Sequence, residues 1–258
     1  MTSAITSTTA LEHANCSSNG YLLSGNNTLS SIDLSTGRTK FISTLDGASS
    51  VRSLGYNILD DYLYGVGTNG TAGTLIQIGG DGASIPIAEL PAPSIETGYT
   101  LGDVDEKGQG WFASSTAWGQ TIYVQIDLVP FSPTRGSIVN EGVADPAVHI
   151  PHDWAYVPGA GDNLWSLGSN RDYDQMTQLL RFSREFGVWH LETAFWNIAG
   201  ANTWPTVYAG ANQTIIAQEA YSGEIWEFQL PIVGVGAKKL AVGDRIGDGD
   251  GTRCIDAL

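Results

Sequence analysis

Short apolar runs, each bounded by Gly, Asn or Asp, follow one another along most of the chain. The clearest series lies between residues 54 and 88, where many of the apolar residues are aromatic or β-branched. Runs of this length separated by turn residues predict antiparallel strands joined by hairpins. The series therefore predicts four strands, within 54–57, 62–65, 74–78 and 84–88.

The same four-strand unit recurs along the chain. Three further units begin near residues 101, 154 and 206, and a shorter unit precedes the first. One large apolar residue marks the second strand of each unit, at successive intervals of 41, 49, 54 and 50 residues. These marker residues are Tyr21, Tyr62, Trp111, Trp165 and Ile215. Four-stranded repeats of about 40 to 50 residues are typical of propeller blades.

The repeat predicts an all-β fold, a five-bladed β-propeller with four antiparallel strands per blade and a single domain over 1–258. A β-sandwich or two packed sheets is the alternative, but neither requires a regular four-strand period. The first unit lacks an innermost strand, so we expect the C-terminal strand to close blade 1. The predicted blades are 20–45 plus 250–257, 50–90, 98–141, 152–195 and 204–243.

The only two cysteines, Cys16 and Cys254, lie near opposite ends of the chain. Two buried reduced thiols and one disulfide are both compatible with this spacing. If blade 1 is closed as predicted, the two residues lie on or beside neighbouring strands. Such strands bring some Cα pairs to about 4.5–5.5 Å, within disulfide range. We therefore predict a bridge that locks the ring.

The charge of the chain limits its partners. Twelve Lys and Arg residues against 27 Asp and Glu residues give a net charge of −15. Such a surface repels phosphate backbones, so we expect no nucleic-acid partner. No run of about 20 apolar residues is present, so we expect no membrane span.

Four N-x-[ST] sequons point to the secretory pathway. Their asparagines are Asn15, Asn26, Asn69 and Asn212. Together with a predicted disulfide and few lysines, they favour a secreted glycoprotein. Residues 1–9 lack the apolar stretch of a signal peptide, so secretion would require a leader that has been removed. A cytosolic protein is the alternative.

In a propeller the innermost strands line a central channel, and ligands usually lie over one of its mouths. Aligning the five predicted inner strands places a set of polar and aromatic residues at the start of each strand or in nearby loops. The candidate catalytic residues are Arg52, His152, Asp153 and Arg253. The candidate substrate-binding residues are Tyr99, Thr100, Trp118, Trp154, Tyr173, Trp204, Thr206 and Tyr221.

These residue types have recognisable chemical roles. The two arginines can polarise a carbonyl or bind an acidic group, and Asp153 or His152 can move a proton. The aromatic rings can stack on a flat substrate. Each residue also has a structural interpretation: an arginine can pair with a channel aspartate, His152 can bond a backbone carbonyl, and rings can pack between blades.

Motifs for other chemistries are weak or missing. The four histidines form no H-x-x-x-H pattern, so no metal site is predicted. The Asp-Gly-Asp-Gly run at 248–251 lacks the rest of a calcium loop and is interpreted as a turn before the closing strand. No nucleotide-binding or G-x-S-x-G motif is found. We therefore predict no cofactor.

Three segments carry a resemblance to known propellers. They are 54–65, 75–82 and 249–254, and they are similar to repeats of secreted-type propellers of fungi and bacteria. The resemblance covers nearly the whole chain. Within that group, the single-domain form resembles the fungal hetero-Diels–Alderases of tropolone–sesquiterpene (meroterpenoid) biosynthesis.

This resemblance implies a cofactor-independent pericyclase that acts on small apolar or aromatic organic substrates. It would form an o-quinone methide from a hydroxymethyl tropolone and guide its cycloaddition to a humulene-type alkene. Two other functions remain open: a lectin-like carbohydrate-binding propeller, and a glycan hydrolase or lyase. Repeated lectin sites would require similar loops in each blade, whereas a hydrolase would require paired carboxylates in the channel.

Overall fold

The computed structural model describes residues 11–45, 50–69, 72–91, 98–115, 120–232 and 234–258. Within this part of the chain there are twenty β-strands and one 3₁₀ helix, Ile255–Ala257. The strands are β1 (Gly20–Ser24), β2 (Thr28–Asp33), β3 (Arg38–Thr44), β4 (Val51–Asn57), β5 (Tyr62–Asn69), β6 (Ala72–Ile78), β7 (Ser84–Leu90), β8 (Leu101–Val104), β9 (Gln109–Ser115), β10 (Thr121–Asp127), β11 (Ile138–Ala144), β12 (His149–Tyr156), β13 (Asn163–Asn170), β14 (Tyr173–Ser183), β15 (Val188–Trp196), β16 (Thr206–Gly210), β17 (Thr214–Gln218), β18 (Glu224–Gln229), β19 (Gly236–Val242) and β20 (Gly249–Arg253).

The strands form five antiparallel sheets of four strands each, and each sheet is one blade. Blades 2 to 5 use consecutive strands, β4–β7, β8–β11, β12–β15 and β16–β19, whereas blade 1 has the order β20-β1-β2-β3. The innermost strands β20, β4, β8, β12 and β16 contact one another in that order and close a ring. The predicted five-bladed propeller, closed by the C-terminal strand, is therefore confirmed.

Some strand limits differ from the predicted ones. The inner strand of blade 4 begins at His149 and the outer strand of blade 3 extends to Ala144, so both strands are longer than predicted. The closing strand runs from Gly249 to Arg253, and Cys254 follows it.

The core of the molecule lies in the seams between blades. Five hydrophobic clusters are found among the described residues, one in each seam. In the seam between blades 3 and 4, for example, Trp111 and Trp154 pack around Phe182. Inner strands such as β8 and β16 are buried along their whole length, while the outer strand β3 is largely exposed. This gradient explains why the inner strands have near-continuous apolar and small residues.

The inner strands approach so closely that glycine is required between them. A Cβ atom added to Gly102 would lie 2.7 Å from the backbone nitrogen of Leu54. One added to Gly55 would lie 2.8 Å from the backbone nitrogen of Val104. Because the obstructing atoms are backbone, a side chain cannot be accommodated by a rotamer change. The two glycines therefore set the spacing between blades 2 and 3.

Gly102→Ala is expected to prevent folding, or to lower the free energy of unfolding by several kcal/mol, because it forces two inner strands apart. Gly25→Ala is the matched control, since a Cβ there has nothing within 4 Å. Urea unfolding followed by tryptophan fluorescence compares the two. Equal midpoints for Gly102→Ala and wild type would refute the steric argument.

The predicted disulfide is present. Cys16 and Cys254 are bonded with a Cα–Cα distance of 5.2 Å across a sequence separation of 238 residues. The N-terminal segment before Cys16 also lies against blade 2, because Ala14 N–H donates to the Asp61 carbonyl and Gly80 N–H donates to the Glu12 carbonyl. The bridge therefore joins this segment to the end of the closing strand.

Replacing both cysteines by serine is expected to lower the free energy of unfolding. A chain-entropy argument for a loop of this length gives roughly 5 kcal/mol, and measured values are often smaller. Urea unfolding of the Cys16→Ser/Cys254→Ser variant, beside wild type with and without reductant, measures the change. If all three midpoints coincide, the bridge contributes nothing to closure.

Candidate functional site

The inner strands all begin at one face of the propeller, which we call the upper mouth. It also includes the turns between the second and third strands of blades 1, 4 and 5. Two of the candidate catalytic residues, Arg52 and His152, lie there, and each belongs to a β-bulge. On β4 the pairing passes from Val51 with Gly67 to Leu54 with Gly65, so Arg52 is in the irregular stretch. Bulges re-aim side chains and are common beside active sites.

Arg52 is half-exposed at the seam between blades 1 and 2. Its Nη1 lies 3.2 Å from Asp248 Oδ2, and its Nε donates to Ser50 Oγ over 3.0 Å. The side chains of Arg52 and Asp248 are 41% and 59% exposed, so the pair contributes less than about 1 kcal/mol. A ligand oxygen could therefore compete with Asp248 for the guanidinium at little cost.

His152 is the bulged residue of β12. Pro151 pairs with Gly168 and Asp153 pairs with Leu167, which leaves His152 without a strand partner. The backbone N–H of Trp204 donates to Nδ1 over 3.0 Å, and Nε2 lies 3.0 Å from Ser169 Oγ. Burial lowers the pKa of His152 to about 4, although Glu219 acts in the opposite direction. The ring is therefore neutral at neutral pH.

These contacts decide which nitrogen of His152 carries the proton. A backbone N–H can only donate, so Nδ1 must accept, and the single proton of the neutral ring is on Nε2. His152 therefore donates to Ser169 rather than accepting from it. A serine nucleophile needs the opposite direction, with histidine as the base. The Ser169–His152 contact thus supplies a polarised hydroxyl and not a nucleophile.

Asp153 does not face the mouth. It is fully buried on the axis, where Oδ1 accepts from Trp154 N–H and Oδ2 accepts from Val207 N–H, each over 2.7 Å. The second bond joins inner strands β12 and β16. Both oxygens are occupied by backbone N–H groups, so the buried position of Asp153 does not support its predicted role in proton transfer.

Arg253 lies at the opposite end of the channel from the predicted one. Gly249 pairs with Ser24 and Arg253 pairs with Gly20, so β20 begins near residue 249 and Arg253 is its last residue. Its Nη1 donates to the Ala209 carbonyl over 3.3 Å, and burial lowers its pKa. The predicted alignment of the inner strands began the closing strand several residues too late. The reason is that this strand contains glycines in place of the apolar residues on which the other inner strands were aligned. Asp248 and Gly249 are the mouth residues of blade 1.

Three of the six predicted stacking rings are packed in the seams. Trp154, Trp204 and Tyr99 have at most 1% of their surface exposed. Trp204 Nε1 donates to Thr177 Oγ1 over 3.0 Å, and the Tyr99 hydroxyl donates to the Pro91 carbonyl over 3.1 Å. These rings support the mouth from below and do not line it, which corrects the predicted substrate-binding role. Their large apolar area is better buried between blades than exposed.

The other predicted binding residues vary in exposure. Thr206 is fully buried and Tyr221 is 58% exposed, while Thr100 is partly exposed and its N–H donates to the Ala113 carbonyl. Trp118 and the side chain of Tyr173 lie outside the described part of the structure.

Two cavities adjoin the β1–β2 turn at the upper mouth. The smaller is lined by Arg52, Asp248 and Asn27, and the larger has a volume of about 340 Å³ in the seam between blades 5 and 1. Leu22 and Ile246 form part of the larger one, and both cavities share Ser24, Gly25 and Asn26 as a wall. A volume of this size is within the usual range for small-molecule sites.

A set of buried aspartates on the axis had no clear signal in the sequence. Each inner strand has a free edge toward the axis, where buried N–H groups need acceptors. Asp103 Oδ2 accepts from Tyr156 N–H over 2.7 Å and its Oδ1 accepts from Thr252 Oγ1 over 3.1 Å. Thr252 in turn accepts from Tyr56 N–H. Side chains of neighbouring strands thus satisfy the axial edges.

Asp250 is the exception among these acids. It is fully buried, and among the described residues neither of its carboxylate oxygens has a hydrogen-bond partner of ordinary geometry, although the backbone N–H groups of Gly251 and Leu54 act to lower its pKa. Burial, together with repulsion from Asp153 and Asp103, raises its pKa well above the usual range. Burial likewise raises the pKa of Asp103 to about 7. The Asp-Gly-Asp-Gly run interpreted as a turn therefore contains a buried channel acid.

Asp250→Asn is expected to stabilise the protein increasingly as the pH rises. The native state holds a proton that the unfolded chain loses above about pH 4, so this stabilising term is complete below that pH and is lost as pH rises through the raised pKa. The advantage of the variant should grow by at least about 1 kcal/mol between pH 5 and 8, or roughly 2–4 °C in Tm.

Thermal unfolding at several pH values tests this, with Glu185→Gln as a control because Glu185 is exposed. If Asp250→Asn and wild type lose stability in parallel between pH 5 and 8, Asp250 is not the buried acid described above.

Three of the sequon asparagines lie in connections outside the strands. Asn15, Asn26 and Asn212 are exposed, and Asn26 and Asn212 adopt positive φ in hairpins. The side chain of Asn69 is outside the described part. Their glycosylation stays a prediction. The disulfide is compatible with an oxidising compartment and thus with secretion.

In the described residues, no helix is long and apolar enough to cross a membrane. The same part of the chain contains no group of three His, Cys, Asp or Glu side chains arranged to hold a metal ion.

A family profile matches residues 24–230, which is most of the propeller. The chain belongs to this family, described as a repeat of unknown function (DUF6923). No curated protein matches the DUF6923 propeller.

Solved structures similar to the DUF6923 propeller share its architecture. A chain of a nidogen/laminin complex has a TM-score of 0.53 at 9% identity, covering 91% of this chain and 97% of that one. A PQQ-bound aldose sugar dehydrogenase from Streptomyces coelicolor has a TM-score of 0.52 at 12% identity, with coverages of 89% and 83%. A protein of unknown function from Bacteroides caccae has 0.52 at 10%, with coverages of 86% and 73%. At these identities the likeness shows the fold alone.

Proposed function

We propose that this DUF6923 propeller is a cofactor-independent hetero-Diels–Alderase that joins a tropolone-derived o-quinone methide to a humulene-type sesquiterpene. In the first step the hydroxymethyl C–O bond breaks, and the hydroxyl leaves as water with the proton of the ring hydroxyl. In the second step the exocyclic methylene forms a C–C bond with one alkene carbon. The ring oxygen forms a C–O bond with the other, so all remaining atoms are retained.

The observation that carries the proposal is the type of polar group at the upper mouth. Arg52 and the His152–Ser169 pair are hydrogen-bond donors, and both lie in or beside a bulge that places them at the same face. Donors of this kind stabilise negative charge on an oxygen as it develops. In the proposed reaction the oxygen that gains negative charge is that of the departing hydroxyl in the first step, and the ring oxygen of the quinone methide in the second step, as electrons move onto it from the alkene.

The cavity in the seam between blades 5 and 1 is large enough for a small organic partner, although polar residues such as Thr39 and Asp244 also line it. Leu22 and Ile246 contribute apolar surface, and the Ser24–Asn26 wall separates this cavity from the one beside Arg52. The cavity beside Arg52 has a volume of only about 20 Å³, which is room for about one water molecule. We therefore place the cyclic alkene in the larger cavity and the tropolone over the open mouth beside it. Holding both reactants in this way supplies several kcal/mol of rate acceleration through proximity.

The two alternative functions receive less support. A hydrolase that used Asp153 would need a carboxylate with a free oxygen, yet both of its oxygens accept backbone N–H groups. A lectin with one site per blade would need similar mouth residues in each blade. The corresponding positions are Arg52 in blade 2, Thr100 in blade 3 and His152 in blade 4, which share no recognition chemistry.

The direct test is the reaction of a hydroxymethyl tropolone with hydroxyhumulene, with and without purified protein. We expect faster adduct formation and a single dominant stereoisomer. Arg52→Gln should lower the rate at least about tenfold, because it removes a charged donor. Arg38→Gln is the control, since Arg38 is exposed on the outer strand of blade 1.

The same rate and the same product ratio with active and heat-denatured protein would refute the pericyclase function. Binding to a glycan array, with no effect on the cycloaddition, would favour the lectin instead.

A further inference from the structure

The connection before β16 fixes the direction of a short hydrogen-bond chain at the upper mouth. Trp204 N–H donates to His152 Nδ1, and His152 Nε2–H then donates to Ser169 Oγ, each over 3.0 Å. The first donor is a backbone amide, which cannot reverse its role. The direction of both hydrogen bonds therefore follows from the backbone amide of Trp204 alone.

Ser169 is left with a hydroxyl proton to donate. Its oxygen already accepts from His152, and no acceptor for its own proton is found among the described residues. Ser169 is the second-last residue of β13, at the upper mouth, and is only partly buried. A hydroxyl that accepts one hydrogen bond becomes a better donor for the next. The free proton is therefore both polarised and accessible.

The bulge explains how this hydroxyl is held in position. Because His152 has no strand partner, its ring can turn toward both Trp204 in the next connection and Ser169 in the neighbouring strand. Ser169 itself is paired on both sides, with Ile150 and Thr177, so its backbone is fixed. A rigid strand thus carries the donor and a bulged residue orients it.

We propose that Ser169 is a ligand-contacting hydrogen-bond donor, that His152 is its positioning residue, and that the mouth binds a molecule through an acceptor-only oxygen such as a ring carbonyl. The choice of a seven-membered ring ketone as ligand class rests on the proposed function. The donor itself follows from the hydrogen bonds and does not depend on that function.

The first experiment determines the direction of the hydrogen bonds from Trp204 through His152 to Ser169, by nitrogen NMR of the imidazole rings. The protein has four histidines, so comparison with His152→Gln assigns the His152 signals. We expect a neutral ring with the proton on Nε2 and an Nε2 shift that changes in Ser169→Ala. A proton on Nδ1 at neutral pH would overturn the proposal.

The second experiment measures binding of tropone, a seven-membered ring ketone, and of cycloheptatriene, which lacks the oxygen. Ser169→Ala should raise the Kd for tropone about tenfold, because one hydrogen bond is lost. Ser169→Thr, which keeps a hydroxyl, should remain within about twofold of wild type. The Kd for cycloheptatriene should be unaffected by Ser169→Ala.

Ser137→Ala is the matched control, since Ser137 is exposed in the connection between β10 and β11. Equal tropone affinity in Ser169→Ala and wild type, or no tropone-dependent shift of the His152 signals at saturation, would overturn the proposal. A wild-type protein that binds tropone through Ser169 but leaves the cycloaddition rate unchanged would refute the pericyclase function and support this inference.

Discussion

Closing five twisted sheets into a ring leaves the free edge of every inner strand facing the axis, where its buried N–H groups need acceptors. The N–H groups of Tyr56, Tyr156 and Val207 therefore take acceptors from the side chains of neighbouring inner strands. Those acceptors include Asp103 and Asp153, both deeply buried. The need for acceptors for these N–H groups determines which residues can lie on the axis and how closely the inner strands can approach one another. Much of the rest of the structure depends on it.

This arrangement destabilises the charged forms of the axial acids. Carboxylates are good acceptors for backbone N–H groups, but several of them on one axis repel each other and lose hydration. The raised pKa values of Asp103, Asp153 and Asp250 follow from that arrangement. Asp250 is the least compensated of the three, because only the backbone N–H groups of Gly251 and Leu54 favour its charged form and neither makes a hydrogen bond of ordinary geometry.

At the mouth, β-bulges interrupt the regular strand pairing. The bulges at Arg52 and His152 interrupt strands that are otherwise regular and buried, and they direct polar side chains away from the sheet. The aromatic residues below them fill the seams, so the mouth is polar and its support is apolar. A polar mouth on a rigid apolar support suits the proposed function, because donors held in fixed positions stabilise charge on an oxygen.

The sequence by itself determined the architecture. Blade number, the four-strand period, the closing strand and the Cys16–Cys254 bridge all follow from spacing, because strand length and turn residues are local properties. It also placed Arg52 and His152 at the mouth, since both precede the apolar residues of a predicted inner strand. The tertiary structure alone decided the position of Arg253, the burial of Trp154 and Trp204, and the contacts of Ser169 and Asp250. These depend on how neighbouring blades pack and on which strand edges meet at the axis, and such contacts between distant residues leave no periodic trace in the chain.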